Sequence, residues 1–315
     1  MMLVSLARRR LIQLMATFLT NQQLMNLTGG RLYKGSAKEL CAPGLNCYSC
    51  PAATLSCPLG AIQTVGGTAG YGFSFYAGGF LLLLGVLWGR LACGFLCPFG
   101  LFQELLAKVP LPRKKLYAPL LYLKYLMLLV FVLGLPLFFM LTEGIGPPAF
   151  CQYICPAGTL EAALPLLLTH PEYREAAGGL FALKAAILAA VLIACMSVPR
   201  FFCKALCPLG AIYGLMNPLS ICRLHLDKSR CISCGACQRA CPMDIDPRKQ
   251  TNSPECIRCG ACQKACPQQA LHLGTKKRQN SHPDDLRCAY EKENPCPAAG
   301  GATPVPCHSR PGSRR

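Results

Sequence analysis

Residues 231–266 hold two copies of one cysteine pattern, Cys231-x2-Cys234-x2-Cys237-x3-Cys241-Pro242 and Cys256-x2-Cys259-x2-Cys262-x3-Cys266-Pro267. Thiolates at this spacing hold [4Fe–4S] cubes, three from one run and the fourth from the other. One cube then takes Cys231, Cys234, Cys237 and Cys266. The other takes Cys256, Cys259, Cys262 and Cys241. Gly235 and Gly260 allow the tight backbone between ligands, and the proline after each fourth cysteine turns the chain away. A zinc module closes on four ligands in two separated pairs, which a doubled triplet-plus-one run does not match.

A second pattern occurs four times. Cys-Pro-x-Gly stands at Cys57–Gly60, Cys97–Gly100, Cys155–Gly158 and Cys207–Gly210. Three copies have a cysteine four residues earlier, at Cys93, Cys151 and Cys203, and the first has Cys41, Cys47 and Cys50 upstream. Proline suits the first helical position, so each Cys-Pro opens a short helix, such as 99–108 or 209–216. Free N–H groups and the positive end of the dipole there favour thiolate charge.

These repeats need elements to carry them, and three apolar stretches do so. No Asp, Glu, Lys or Arg lies between Leu40 and Gly89, and Tyr71–Gly89 is long enough to form a membrane helix. Leu116–Leu141 is interrupted only by Lys124, and Gly178–Pro199 only by Lys184. A fourth crossing is expected at Leu11–Thr28. Basic residues Arg90, Lys108, Arg113, Lys114 and Lys115 mark the loop after the first span as cytoplasmic, whereas 142–177 is acidic and should face outward. The repeats then alternate between faces. Cys93, Cys97, Cys203 and Cys207 fall inside as one four-thiolate set. Cys151 and Cys155 fall outside, with two of Cys41, Cys47, Cys50 and Cys57 to complete a second. Lys124 and Lys184 sit near helix starts, where lysines are expected to snorkel to the interface.

Composition supports metal ligation over other uses of sulfur. The chain has 315 residues and 23 cysteines, and no cleavable signal is evident, so a disulfide framework is disfavoured. The net charge of +18 is spread over loops and tail with no interleaved aromatic platform, which argues against nucleic acid. None of His170, His225, His272, His282 and His308 lies in a span, and Cys-x-x-Cys-His is absent, so no haem is expected. No flavin acceptor is expected around Gly300–Thr303. Cys195 reads as an apolar filler, while Cys222, Cys288, Cys296 and Cys307 have no assigned role. Beyond Leu273 the chain is rich in Lys, Pro, Gly and Ser and reads as disordered.

With these motifs, the chain resembles the membrane polyferredoxins of the NapH and NosR type and the related FixG-like proteins. The resemblance covers about residues 75–270 and rests on the Cys-x3-Cys-Pro pairs at helix ends and the doubled module. By it, Cys93, Cys97, Cys203 and Cys207 match the family's paired motifs. It implies electron passage between membrane quinols or other donors and proteins on either face; FixG-like members support metal-centre assembly. The long flavin domain of NosR and the β-domain of FixG are missing, and the segment Cys41–Pro51 is an addition.

The expected fold is mainly α. It comprises a helical membrane bundle of three or four spans (1–221), a small α+β bacterial-type two-cluster ferredoxin domain (222–274) and a basic tail (275–315). The expected function is membrane-bound iron–sulfur electron transfer at the cytoplasmic membrane, with the ferredoxin domain on the cytoplasmic face. It would serve an oxidoreductase system as a component, since no general acid, nucleophile or phosphate-cradling loop is present. Two [4Fe–4S] clusters are expected in the C-terminal module and one or two more in the membrane part. The partners would be a redox protein, membrane quinol and lipid. The rival readings are an electron-delivering assembly factor for a metalloenzyme and an iron–sulfur redox sensor.

Overall fold

The computed structural model describes residues 6–66, 71–144, 146–175 and 177–275. The described residues belong to one compact unit. The predicted tail, with Cys288, Cys296 and Cys307, lies outside the described residues.

The fold is mainly helical. Among the described residues, two helices are long and apolar enough to cross a membrane, Ala118–Glu143 with 26 residues and Gly179–Ser197 with 19. Both turn most of their surface outward. Leu129, Leu133, Leu137, Leu183 and Ile193 are exposed, whereas a core helix of a soluble protein would bury them. Within the first, residues Leu128–Gly134 widen into a π-turn directly before Leu135 and Pro136. Proline has no N–H and its ring crowds the carbonyl one turn back, so the helix opens ahead of it. A third apolar helix, Tyr71–Trp88, coincides with the first expected span, and its described apolar portion, Phe75–Trp88, is shorter than the other two.

At Leu11–Thr28, the chain forms no single continuous crossing. Helix Leu6–Thr20 has 15 residues. It ends where Asn21 donates its side-chain amide back to the Thr17 carbonyl at 3.1 Å. The helix's last carbonyl, on Thr20, then accepts the Thr54 N–H at 2.9 Å. Near its start, Arg9 donates to Gly94 O at 3.5 Å and pairs with Glu104. The helix therefore ties the 41–57 segment to the short helix Leu91–Phe95 that carries Cys93.

In the C-terminal part, strands Arg223–Leu226 (β1) and Leu271–Gly274 (β2) pair antiparallel, with His225 opposite His272. Between them lie two short helices, Ala236–Arg239 and Ala261–Lys264, which start from Gly235 at φ 73° and Gly260 at φ 77°. Left-handed backbone recurs at matching places in the two runs, at Ser233 and Arg258 and again at Asp244 and Gln269. The duplicated sequence is thus a duplicated backbone path, held where non-glycine residues adopt it only under constraint.

This part is locked onto the helices. Arg258 donates to Trp88 O at 2.7 Å and to Asn217 O at 2.9 Å. Asn217 in turn donates to Ser253 O at 2.7 Å and Cys256 O at 3.0 Å. Gly94 meets Ile257 backbone to backbone. A Cβ at Gly94 would sit 2.5 Å from the Ile257 carbonyl oxygen, a clash that only displacement of one backbone relieves. Gly94→Ala is therefore expected to loosen this seam at a cost of about 1–3 kcal/mol. Hydrogen exchange should rise across residues 253–262; unchanged exchange would show that the contact does not hold the two parts together.

Candidate metal centres

The Cys-Pro helix starts form as expected, and sulfur acts as the cap. Helix Pro98–Leu106 begins with Cys97 as N-cap, its Sγ accepting from the Gly100 N–H at 3.4 Å. Helix Pro208–Met216 begins with Cys207, accepting from Gly210 N–H at 3.3 Å. Each thiolate takes the position that an Asp or Ser oxygen usually fills, facing the unpaired N–H groups of the first turn.

Cys93, Cys97, Cys203 and Cys207 are all buried and close enough to perturb one another. Burial pushes the Cys207 thiol well up, and Cys203, Cys93 and Cys97 push it further. Around them the two halves exchange arginines. Arg90, three residues before Cys93, donates to the Cys203 carbonyl at 2.5 Å. Arg200, three residues before Cys203, donates to the Cys93 carbonyl at 2.8 Å. Both guanidinium groups are fully buried, and each has a carboxylate. Arg90 pairs with Glu255 at 2.8 Å and Arg200 with Glu104 at 2.6 Å. Burial alone would raise the Glu255 pKa, but Arg90 and Lys124 hold it below the ordinary carboxylate range. Gln103, also fully buried, donates to Cys203 Sγ at 3.1 Å and accepts from Cys195 Sγ at 3.6 Å. Cys195 is thus more than filler, since its thiol fixes the amide that faces a candidate ligand.

A second set gathers at the other end of helix Gly179–Ser197. Cys47, Cys57, Cys151 and Cys155 line a cavity of about 430 Å³. Of the four upstream cysteines left open by the sequence, Cys47 and Cys57 line this cavity, while Cys41 packs with Ala61 and Ala77 near Cys57 and Cys50 with Ala52, Ala53, Ala162 and Cys47. Burial and the neighbouring Cys57 raise Cys155 to about 12. Gln63 donates to Cys151 Sγ at 3.4 Å, and Lys184 donates to the Cys151 carbonyl at 3.2 Å while also lining the cavity. The Cys47 N–H donates to the Glu161 carboxylate at 2.8 Å, and burial raises the Glu161 pKa to about 7.

Both lysines correct the snorkelling expectation. Lys124 is 0% exposed, sits over the Tyr125 ring at 5.1 Å and pairs with Glu255. Lys184 turns to the Cys151 carbonyl. A carboxylate holds the Lys124 ammonium and a main-chain carbonyl that of half-buried Lys184.

In the C-terminal part the exchange of fourth ligands has a geometric counterpart. Cys241, Cys256, Cys259 and Cys262 line one pocket. Cys231, Cys234, Cys237 and Cys266 line another. Cys222 is buried and lowers its own thiol toward ionisation only through Arg258, which burial outweighs. His170 contacts Glu172 at 3.1 Å, and the rings of His225 and His272 stack at 5.3 Å. His282 and His308 lie outside the described residues. Among the described residues, no three His, Cys, Asp or Glu side chains converge on one metal ion. The sets consist wholly of thiols, and three of them line cavities. Burial raises the thiols of Cys207, Cys155 and Cys256, and coordinated iron removes a thiol proton outright.

Comparison with known proteins points the same way. A 4Fe-4S binding domain family matches residues 70–119, 125–165 and 180–226, and a 4Fe-4S dicluster domain matches 223–267. The chain binds [4Fe–4S] clusters. An uncharacterized protein of Methanocaldococcus jannaschii is 28% identical over 174 residues, 52% of this chain, which spans 56% of that relative's length. YccM of Escherichia coli, named for electron transport, is 36% identical over 55 residues, 18% of this chain and 15% of its own. The methylamine utilization ferredoxin-type protein MauN of Paracoccus denitrificans is 43% identical over 44 residues, 14% of this chain and 16% of its own. No solved structure matches the chain. The 4Fe-4S matches include every paired Cys-x3-Cys-Pro, but the segment with Cys47 and Cys57 lies outside them.

Glu255 faces two buried cations from helices distant in sequence, so Glu255→Gln strands both. Removing one partner of a buried pair typically costs about 3–5 kcal/mol. Thermal unfolding in detergent should shift down accordingly; an unchanged midpoint would mean that Arg90 and Lys124 are neutralised elsewhere.

Proposed function

We propose that this protein conducts electrons along a membrane through four all-cysteine centres. The outer centre is held by Cys47, Cys57, Cys151 and Cys155, and the inner one by Cys93, Cys97, Cys203 and Cys207. The two ferredoxin centres follow, first Cys241, Cys256, Cys259 and Cys262, then Cys231, Cys234, Cys237 and Cys266. When bound, a [4Fe–4S] cluster supplies one-electron chemistry at a potential set by its ligands, hydrogen bonds to sulfur and burial.

The observation that carries this reading is adjacency in series. Lys184, at the outer set, and Cys195, at the inner one, lie eleven residues apart on one helix, about 16 Å of rise. The segment between the sets is continuous. The Leu45 N–H reaches Cys97 and the next amide, Asn46 N–H, reaches Cys57. Tyr213 stands among Cys93, Cys57, Cys97 and Cys41, and its hydroxyl donates to Pro43 O at 3.1 Å. On the far side of the inner set, Gly94 abuts Ile257, next to Cys256, and Arg200 senses both Cys203 and Cys259. Such spacing suits stepwise electron transfer. The residues themselves exclude water, offer N–H groups to sulfur and balance thiolate charge with buried cations.

A multi-pass location in the cytoplasmic membrane, with the ferredoxin part on the cytoplasmic face, is supported by the outward-turned apolar helices and the basic loop 108–115. The similarity to NapH, NosR and FixG-like proteins supports membrane quinol or a soluble redox protein as donor or acceptor. Single substitutions test the ligand sets. Cys97→Ala and Cys207→Ala should remove the same paramagnetic signal from the reduced protein. Cys47→Ala and Cys155→Ala should remove a different one, with both ferredoxin signals retained in all four. If Cys97→Ala and Cys207→Ala delete different signals, the shared inner centre is wrong.

A further inference from the structure

Beside the ferredoxin set nearer the helices lies a broad cleft of about 660 Å³, lined by Cys241 and Cys259. Its walls carry Arg10, Lys108, Arg113, Lys114, Lys115 and Lys264, and none of these six has an ion-pair partner among the described residues. The carboxylates in the cleft are already engaged. Glu104 is shared by Arg9 and Arg200, and Asp244 pairs with Lys204 at 2.6 Å. Arg239, also at the cleft, points its guanidinium to the Cys234 carbonyl at 3.1 Å. The cleft is therefore strongly cationic, drawn from three separate stretches of chain, and opens beside two cysteines of one candidate centre.

We propose that this cleft is the docking site of an acidic, soluble electron-carrier protein. The inference rests on the electron-transfer reading above and adds to it the entry or exit point and the charge of the partner. Unpaired cations of one sign steer an oppositely charged partner and fix its orientation. Here that orientation brings the carrier's own redox group toward Cys241 and Cys259, so one electron leaves one protein and enters the other with no bond made. An anionic lipid headgroup shares the carrier's charge. It would cover the approach to those cysteines, whereas Arg239 and Lys264, on the ferredoxin part, carry the cationic lining beyond the end of helix Gly179–Ser197.

The test uses the full chain in nanodiscs of neutral lipid, with an acidic bacterial-type ferredoxin as probe and binding as the readout. Affinity should fall about tenfold or more between roughly 20 and 200 mM salt. Lys114→Glu with Lys115→Glu should weaken binding about tenfold at low salt, while Arg31→Glu, outside the cleft, should not. All three positions are exposed, and unchanged iron content with unchanged reduction by dithionite will show that each variant is intact. Salt-insensitive binding, or equal affinity in the two variants, overturns the proposal. So does a variant that loses only its preference for anionic over neutral vesicles, which assigns the cleft to lipid. Salt-dependent docking to a protein whose clusters dithionite cannot reduce overturns the electron-transfer reading itself, and the proposal with it.

Discussion

The structure is organised by one electrostatic constraint, the placing of two groups of four cysteines, buried or half-buried, inside an apolar helical core. Uncompensated, so much negative charge is not tolerated in a medium of low dielectric constant. Compensation comes from three sources at once. Bound iron supplies positive charge, helix N-termini offer N–H groups to Cys97 and Cys207, and a shell of buried cations surrounds the sets. Arg90, Arg200, Lys124 and Lys204 are each almost completely buried; Glu255 serves Arg90 and Lys124 together, Glu104 serves Arg200 and Asp244 serves Lys204, so four cations share three carboxylates and the shell keeps net positive charge. Hydrogen bonds and nearby charge tune the potential of iron–sulfur centres, so in the proposed function the same shell sets both stability and redox poise.

The reciprocal arginines also explain how two halves far apart in sequence become one site. Arg90 and Arg200 each precede a Cys-x3-Cys-Pro by three residues, and each reaches across to the carbonyl of the other half's first cysteine. The two halves cap each other. Through Glu255, Arg90 extends this arrangement to the ferredoxin part, so the inner set and its neighbour share a charge network as well as a backbone contact. Loss of one ion pair would therefore be felt at more than one centre.

Much of this was legible in the sequence wherever chemistry imposes a spacing. The doubled run sorts its eight cysteines as the two pocket linings do, and the Cys-Pro repeats announced the helix starts. What depends on packing was not legible. Spacing could not show that Cys47 and Cys57, rather than Cys41 and Cys50, line the cavity with Cys151 and Cys155, because that depends on how 41–57 folds onto helix Leu6–Thr20. Hydropathy places Lys124 and Lys184 near helix ends, where snorkelling is the ordinary outcome. Their buried partners, Glu255 and the Cys151 carbonyl, are 131 and 33 residues away. Gln103, Asn217 and Glu161 carry no motif, and only the contact of their polar atoms with cysteine sulfur or backbone reveals them.

The account stands on the helical part carrying two all-cysteine centres in addition to the ferredoxin pair. Iron and acid-labile sulfide counted per chain, after anaerobic purification of the full protein, test that directly. Four cubes require about sixteen of each. A reproducible value of about eight, in protein whose ferredoxin signals are complete, would leave the buried thiols of Cys93, Cys97, Cys203 and Cys207 without a cluster and contradict the central claim.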